Sequence, residues 1–184
     1  MADIAASVLA RLKNKAAESG RSYQLCLQLF CQEEFLRRLE KSKYSENLVL
    51  KGGLFLYSLT DFDSRVTVDV DFLLRKIPNT PEQLKGILEE IIAVQTGNDF
   101  VTFEIKDVAP IAVAKKYAGI GASIVAHIKT HAHRLALISV LVMSLCRSMK
   151  GEKYPLSLMI LLRRQLILIP LRRPLLRKLT QSSA

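Results

Sequence analysis

The feature that most constrains the fold is a run of alternating residues from Arg65 to Leu73. Its apolar members are Val66, Val68, Val70 and Phe72, and its other members are Arg65, Thr67, Asp69, Asp71 and Leu73. Because successive side chains of a β-strand point to opposite faces of the sheet, this period of two predicts a strand with an apolar back and a charged front. Asp69 and Asp71 are therefore expected to project together from one face.

Helices and further strands are predicted on both sides of this run. The predicted helices lie at 3–17, 22–41 and 80–96, and the predicted strands lie at 101–105 and 122–128. The first two helices are amphipathic, and we expect them to pack as a pair, with Arg37 and Arg38 off the apolar stripe of the second. The third has a typical helix start, with Thr80 as the capping residue and Pro81 at the first helical position.

Lys51-Gly52-Gly53 lies where a short apolar run turns into another apolar segment. Glycine has no side chain, so backbone N–H groups at such a turn can approach a phosphate. A glycine pair is also common in ordinary tight turns, and a lysine is most often a surface residue. By itself, the motif does not distinguish a phosphate site from a turn.

The two aspartates are candidate metal ligands because adjacent carboxylates repel each other and favour a cation between them. Mg²⁺ typically takes one or two carboxylates and completes its shell with water and substrate phosphate, so Asp69 and Asp71 suit an ion bound with a nucleoside triphosphate (NTP). Arg65 and Thr67 share their face, where they could contact phosphate oxygens or pair with the carboxylates. The alternative is a solvated acidic sheet face, which the wholly apolar back disfavours.

The net charge of +10 is confined to the last third of the chain. Residues 1–128 hold 16 acidic and 16 basic residues, whereas residues 129–184 hold 11 basic residues and one acid, Glu152. The basicity typical of nucleic-acid-binding proteins thus describes only a Leu/Arg-rich tail. This change predicts that residues 129–184 are translated out of frame or poorly ordered. A basic apolar tail could also bind RNA or lie on an anionic membrane.

Several other classes of protein are disfavoured. The cysteines are Cys26, Cys31 and Cys146, and the histidines are His127, His131 and His133. Neither set has the spacing of a disulfide framework or a zinc site. The N-terminus lacks the features of a signal peptide, and the apolar run 135–146 is shorter than the roughly 20 residues that a transmembrane helix needs. We therefore expect a cytoplasmic protein with no transmembrane segment.

The two motifs together are more specific than either alone. Leu50-Lys51-Gly52-Gly53 followed by Arg65-x-Thr67-x-Asp69-x-Asp71-Phe72 resembles the AbiEii/AbiGii nucleotidyltransferase toxin family over about residues 10–128. The resemblance implies an α/β (α+β) fold, namely a truncated DNA-polymerase-β-like nucleotidyltransferase core at 1–128 with N-terminal helices, followed by the atypical basic apolar tail. It also implies that Lys51, Gly52, Gly53, Arg65 and Thr67 bind the nucleotide, and that Asp69 and Asp71 bind Mg²⁺ and are catalytic.

The same resemblance implies a function. Members of this family are the toxin halves of toxin–antitoxin or phage-defence pairs, and related members transfer nucleotides from a triphosphate onto RNA, including tRNA ends. The expected partners are an NTP, an RNA or tRNA acceptor and a cognate antitoxin. The alternatives are a catalytically dead remnant that still binds a partner, and a basic RNA-binding protein.

The superfamily also implies a third carboxylate on a later strand, and this chain has no aspartate after Asp107. We therefore expect the activity to be impaired as encoded. In a shifted reading frame, residues 137–143 can be read as Asp-Ile-Gly-Val-Gly-Asp, the kind of strand that carries this carboxylate. The nucleotide sequence of the gene tests that hypothesis.

Overall fold

The structure is a computed structural model of the 184-residue chain, and it describes residues 4–51, 69–111, 119–128 and 134–144. In chain order the elements are α1 (Ile4–Ser19), α2 (Tyr23–Lys41), β1 (Leu48–Lys51), β2 (Asp69–Leu74), α3 (Pro81–Ala93), β3 (Val101–Ile111), β4 (Gly119–Ile128) and β5 (Arg134–Ser144). This mixture of helices and strands is consistent with the predicted α+β class. None of the helices in these ranges is long and apolar enough to cross a lipid bilayer.

The first two helices confirm the predicted pair. Every third or fourth residue of α1 is buried, and this stripe consists of Ala5, Val8, Leu12 and Ala16. It packs against α2, whose first turn is capped by Ser22, because the Ser22 side chain accepts a hydrogen bond from the Leu25 N–H at 3.2 Å.

The third helix begins as predicted and ends earlier. Thr80 caps it by accepting a hydrogen bond from the Gln83 N–H at 3.3 Å, and Pro81 is its first residue. The helix stops at Ala93 rather than near Thr96. Thr96 instead contributes its hydroxyl to a buried polar cluster, so the segment after Ala93 is used for tertiary contacts and not for another helical turn.

The strands form one five-stranded sheet in the order β1-β2-β5-β4-β3. β2 and β5 run parallel, and the other neighbouring pairs are antiparallel. β5 was not predicted from the sequence in the encoded frame, yet this strand lies between β2 and β4, with Val140 and Val142 buried. The sheet thus continues past residue 129, where the composition changes, and the division of the chain at that residue stays a prediction.

β3 and β4 are longer than predicted. They run from 101 to 111 and from 119 to 128, and the polar turn expected around Lys115 and Lys116 lies outside the described residues. Pro110 is tolerated in β3 because this strand forms the end of the described sheet, where one row of backbone groups needs no partner strand. The register between β3 and β4 shifts between Ile105 and Asp107, as in a β-bulge.

One face of the sheet packs against the helices. Its core includes Phe35 of α2, which contacts Phe72 of β2 and Phe103 of β3 with ring centroids 6.4 and 6.1 Å away. The back of β2, formed by Val70, Phe72 and Leu74, is buried in this core. The helices therefore hold β2 with its other face turned away from them.

A polar cluster is buried among these apolar groups. The Arg38 guanidinium donates to the Val101 carbonyl at 2.7 Å and to the Ile92 carbonyl, and it pairs with the Glu34 carboxylate at 3.4 Å. Glu34 also accepts a hydrogen bond from Asn98 Nδ2 at 2.6 Å. Because Arg38 was expected off the apolar stripe of α2, its burial is a difference from the sequence analysis, and the paired carboxylate and the two carbonyls explain it.

Candidate active site

The described part of the alternating run has the predicted two faces. We call the face of β2 that is turned away from the helices the open face of the sheet. On this face Asp69 is exposed and Asp71 is half-buried, whereas Val70 and Phe72 on the back are fully buried. The alternation is confirmed for residues 69–73 of the predicted run. Residues 65–68 lie outside the described residues, and so do the predicted nucleotide-binding residues Arg65 and Thr67.

The two carboxylates are close enough to affect each other. Burial raises the pKa of Asp71 above its ordinary value, the positive charge of Lys51 lowers it, and the negative charge of Asp69 raises it further. The acid form of Asp71 is thus favoured by two of these three effects. A cation bound nearby would lower the pKa of Asp71 and favour its ionised form.

Lys51 lies beside this pair because of the pairing of β1 with β2. The Cα atoms of Lys51 and Asp71 are partners in the antiparallel register. Lys51 is the last residue of β1, and Gly52 and Gly53, which follow it in the chain, lie outside the described residues. The structure therefore brings Lys51, Asp69 and Asp71 together, and the positions of the four other predicted site residues stay predictions.

β5 lies on the other side of β2 and supplies no carboxylate to the pair. Its register places Ser139 beside Asp69 and Leu141 beside Asp71. Within the described ranges, no group of three or more His, Cys, Asp or Glu side chains is arranged to hold a metal ion. Asp69 and Asp71 are thus the acidic residues that β2 and β5 place on the open face.

A depression of about 370 Å³ lies next to Asp69 on the same face. Its lining includes Asp69 of β2, Asp107, Ala109 and Ile111 of β3, and Gly121 and Ser123 of β4. Neither Asp107 nor Ser123 has a role predicted from the sequence. Phe103 and Ile105 of β3 pack on the core side, so a strict period of two would place Asp107 on that side as well. The register shift between Ile105 and Asp107 places Asp107 on the open face instead. This shift could not be seen in the sequence.

The family comparison matches the part of the chain that contains this site. Residues 34–136 match the family described as "Nucleotidyl transferase AbiEii toxin, Type IV TA system". The match covers more than half of the chain and includes Lys51, Asp69 and Asp71. The chain belongs to the AbiEii nucleotidyl transferase toxin family. No curated protein matches it.

Membership in the AbiEii family confirms the resemblance found in the sequence. The fold therefore contains a nucleotidyl transferase core, and the class of protein is the toxin of a type IV toxin–antitoxin system. The AbiEii match begins at Glu34 in α2 and ends at Ala136 in β5, so it spans all five described strands, the last of them in part.

Proposed function

We propose that this AbiEii chain takes a nucleotide from an NTP bound with Mg²⁺ and attaches it to an RNA acceptor. The observation that carries the proposal is the placement of Asp69 and Asp71 on the open face of a strand whose back is buried. Within the described residues, no hydrogen bond or salt bridge joins either carboxylate to another side chain. The family supports the reaction class.

Asp69 and Asp71 are the residues that would hold Mg²⁺. Their oxygens are the donor type that this ion prefers, and two carboxylates leave room in its shell for water and substrate phosphate. The raised pKa of Asp71 supports the fit, since a cation would offset both the burial of this carboxyl and its repulsion by Asp69. When bound, the ion supplies positive charge that offsets the charge developing on the phosphoryl oxygens.

We assign the binding of the triphosphate to five residues that precede Asp69 in the sequence. They are Lys51, Gly52, Gly53, Arg65 and Thr67. Lys51 is supported most directly, because its register with Asp71 brings a positive charge to the edge of the carboxylate pair. The glycines would let backbone N–H groups reach phosphate oxygens, and the guanidinium of Arg65 can donate two parallel hydrogen bonds to a phosphate.

In the proposed reaction, a hydroxyl of the RNA acceptor attacks the α-phosphorus of the NTP. A new P–O bond forms, the bond between the α- and β-phosphates breaks, pyrophosphate leaves and the hydroxyl proton passes to solvent. The chain contributes by holding the two substrates in the orientation that the reaction requires. A tRNA end is one such acceptor, the reaction takes place in the cytoplasm, and a cognate antitoxin is the partner that restrains it.

We expect this transfer to be slow. A positioned general base typically contributes a factor of about 10² to 10⁴ in rate, and β5 places Ser139 and Leu141, not an acid, beside the two aspartates. The same observation favours a second candidate, a catalytically dead remnant that still binds Mg²⁺ and NTP or a partner. The two candidates differ in whether any nucleotide reaches the acceptor.

The experiment follows the two ends of the triphosphate separately. The full chain is incubated with Mg²⁺, total RNA and NTPs labelled on either the α- or the γ-phosphate. We expect slow transfer of the α-label to RNA and no transfer of the γ-label, because pyrophosphate carries the γ-phosphate away. Asp69→Ala and Asp71→Ala should each abolish transfer.

Asp99→Asn is the matched control, since it removes one exposed carboxylate between α3 and β3. Transfer that survives both alanine variants would refute the assigned site. Absence of transfer, with Mg²⁺-dependent NTP binding that requires Asp69 and Asp71, would identify the chain as the remnant. Absence of both transfer and NTP binding would refute the proposed function.

A further inference from the structure

A register shift in β3 turns one acidic residue to the open face of the sheet. Before the shift, Phe103 and Ile105 pack on the core side, and after it Val108 does so. The alternation therefore changes phase between them, and Asp107 is exposed on the open face. β-Bulges are over-represented beside active sites, where they redirect a side chain in this way.

Asp107 and Asp69 lie at the two ends of one row of residues that crosses four strands. Asp107 pairs in register with Ser123, Ser123 with Ser139, and Ser139 with Asp69. Residues directly opposite each other on neighbouring strands lie on the same face. Three strand spacings separate the two aspartates by roughly 14 Å. Asp107 is therefore too far from Asp69 and Asp71 to contact the reacting atoms, and it can contact only a distant part of a substrate.

The depression of about 370 Å³ lies along this row and reaches both aspartates. Its lining between them includes two small residues, Ala109 and Gly121. A Cβ built on Gly121 would contact the Ile111 side chain at 3.4 Å, so the space beside Ile111 is open because Gly121 has no side chain. An apolar floor without large side chains suits the flat face of a ring. The volume is within the range of roughly 300 to 1,000 Å³ that small-molecule sites occupy.

The end of the depression at Asp107 has the chemistry of a hydrogen-bond acceptor. A carboxylate accepts hydrogen bonds and repels phosphate oxygens. The neighbouring Lys106 forms its salt bridge with Glu104, at 2.5 Å. This end therefore favours a neutral group with N–H donors. A nucleotide fits both ends, because its phosphate and the hydrogen-bonding edge of its base lie at opposite ends of the molecule.

We propose that this depression is a nucleobase site, in which the Asp107 carboxylate accepts a hydrogen bond from the exocyclic amino group of the base. The inference rests on the proposed function, since the same nucleotide contributes a reacting atom at Asp69 and Asp71. That atom stays at those two aspartates, and only the base reaches Asp107. Cytosine has an amino group where uracil has a carbonyl oxygen, and a carboxylate accepts from the first and repels the second. Asp107 thus favours an amino-bearing base over uracil.

Two bases could occupy this site, namely the base of the NTP and the last base of the RNA acceptor. Each belongs to a nucleotide that contributes a reacting atom, the α-phosphorus in the NTP and the attacking hydroxyl in the RNA. The amino group that Asp107 recognises is the same in both. The arms of the test separate the two sources.

The test compares ligands that differ in the base alone. Binding of the full chain to CTP is compared with binding to UTP in the presence of Mg²⁺, and a short RNA that ends in cytidine is compared with the same RNA that ends in uridine. A hydrogen bond to a charged group supports a preference of about tenfold for cytosine. In Asp107→Ala this preference should fall below about twofold. The basic residues 129–184 are common to both RNA measurements, so any contact between them and RNA cancels in the ratio.

Asp107→Asn gives a readout that a merely structural role would not produce. The asparagine amide has a donor as well as an acceptor, so it can donate to the uracil carbonyl. We expect this near-isosteric variant to bind the uracil ligand about threefold or more tightly than the wild type does. A variant that only perturbs the fold would weaken both ligands. Asp99→Asn changes another exposed aspartate, and this control should keep the wild-type preference.

The outcomes separate the sources and the two proposals. A preference that depends on Asp107 in the triphosphate pair assigns the site to the base of the NTP, and one confined to the RNA pair assigns it to the acceptor. If the wild-type chain shows no preference in either pair, or if both Asp107 variants keep it, the nucleobase site is wrong. NTP binding that still requires Asp69 and Asp71 would then leave the proposed function standing. If NTP binding is absent or does not require these residues, the proposed function fails and the inference fails with it.

Discussion

Two clusters of charged residues lie on opposite faces of the sheet, and they differ in how their charges are satisfied. Behind the sheet, Glu34 and Arg38 are buried and bonded to each other and to groups of α3 and β3. On the open face, Asp69 and Asp71 repel each other and have no hydrogen bond to another side chain within the described residues. A buried charge must be paired within the protein, whereas an exposed pair of like charges can be left for a ligand.

The largest expected effect concerns the buried cluster. Arg38→Ala would leave Glu34 buried without its cation and would remove the donors to the Ile92 and Val101 carbonyls. We expect the free energy of unfolding to fall by about 3 to 5 kcal/mol, measured by urea denaturation. The neighbouring Arg37 is the control, because its side chain is 32% exposed and Arg37→Ala should cost about 1 kcal/mol or less. Equal losses from the two arginines would contradict the contrast between buried and exposed pairs.

The next effect concerns the open cluster. Mg²⁺ with an NTP should stabilise the wild-type chain by about 2.7 kcal/mol at a free ligand concentration of 100 times Kd. Asp69→Asn combined with Asp71→Asn should remove this stabilisation, because the ion loses both anionic ligands. Thermal unfolding with and without the ligand measures it, and Arg37→Ala should respond like the wild type. An unchanged response of the double variant would show that the pair does not bind the ion.

The smallest effect concerns the pH dependence of stability in the absence of ligand. The pKa of Asp71 in the folded chain is raised above the ordinary value of 3.8, first by burial, so the folded state binds this proton more tightly than the unfolded state. Its contribution to stability is therefore present below pH 3.8 and is lost as the pH rises through the raised pKa. Asp71→Asn cannot ionise, and at neutral pH it should be more stable than the wild type by at most about 1 kcal/mol, since the carboxyl is partly exposed.

This pH effect has a defined sign. Unfolding free energies of the two proteins should converge in acid, where Asp71 is protonated, and separate as the pH rises. An Asp71→Asn variant that is less stable at neutral pH would mean that the ionised carboxylate gains a favourable partner in the folded chain. The charge of Asp71 would then be paired within the protein, like the buried charges of Glu34 and Arg38.

The elements with local signals were predictable. The period of two in residues 69–73 and the apolar stripes of α1 and α3 follow from the geometry of isolated strands and helices, and the caps at Ser22 and Thr80 involve bonds between near neighbours. β5 had no such signal, because its largely apolar run resembles a buried helix as well as a central strand. The burial of Arg38 was also hidden, since its partners Ile92 and Val101 lie more than fifty residues away.

By itself, the sequence determined which residues carry the proposed chemistry and that Asp69 and Asp71 share a face, because side-chain direction in a strand depends only on position. Tertiary structure decided what lies beside them. The register of β1 brings Lys51 to Asp71, β5 places Ser139 beside Asp69, and the shifted register of β3 turns Asp107 to the same face. Strand order and register depend on contacts between distant segments, and these contacts leave no periodic pattern in the chain.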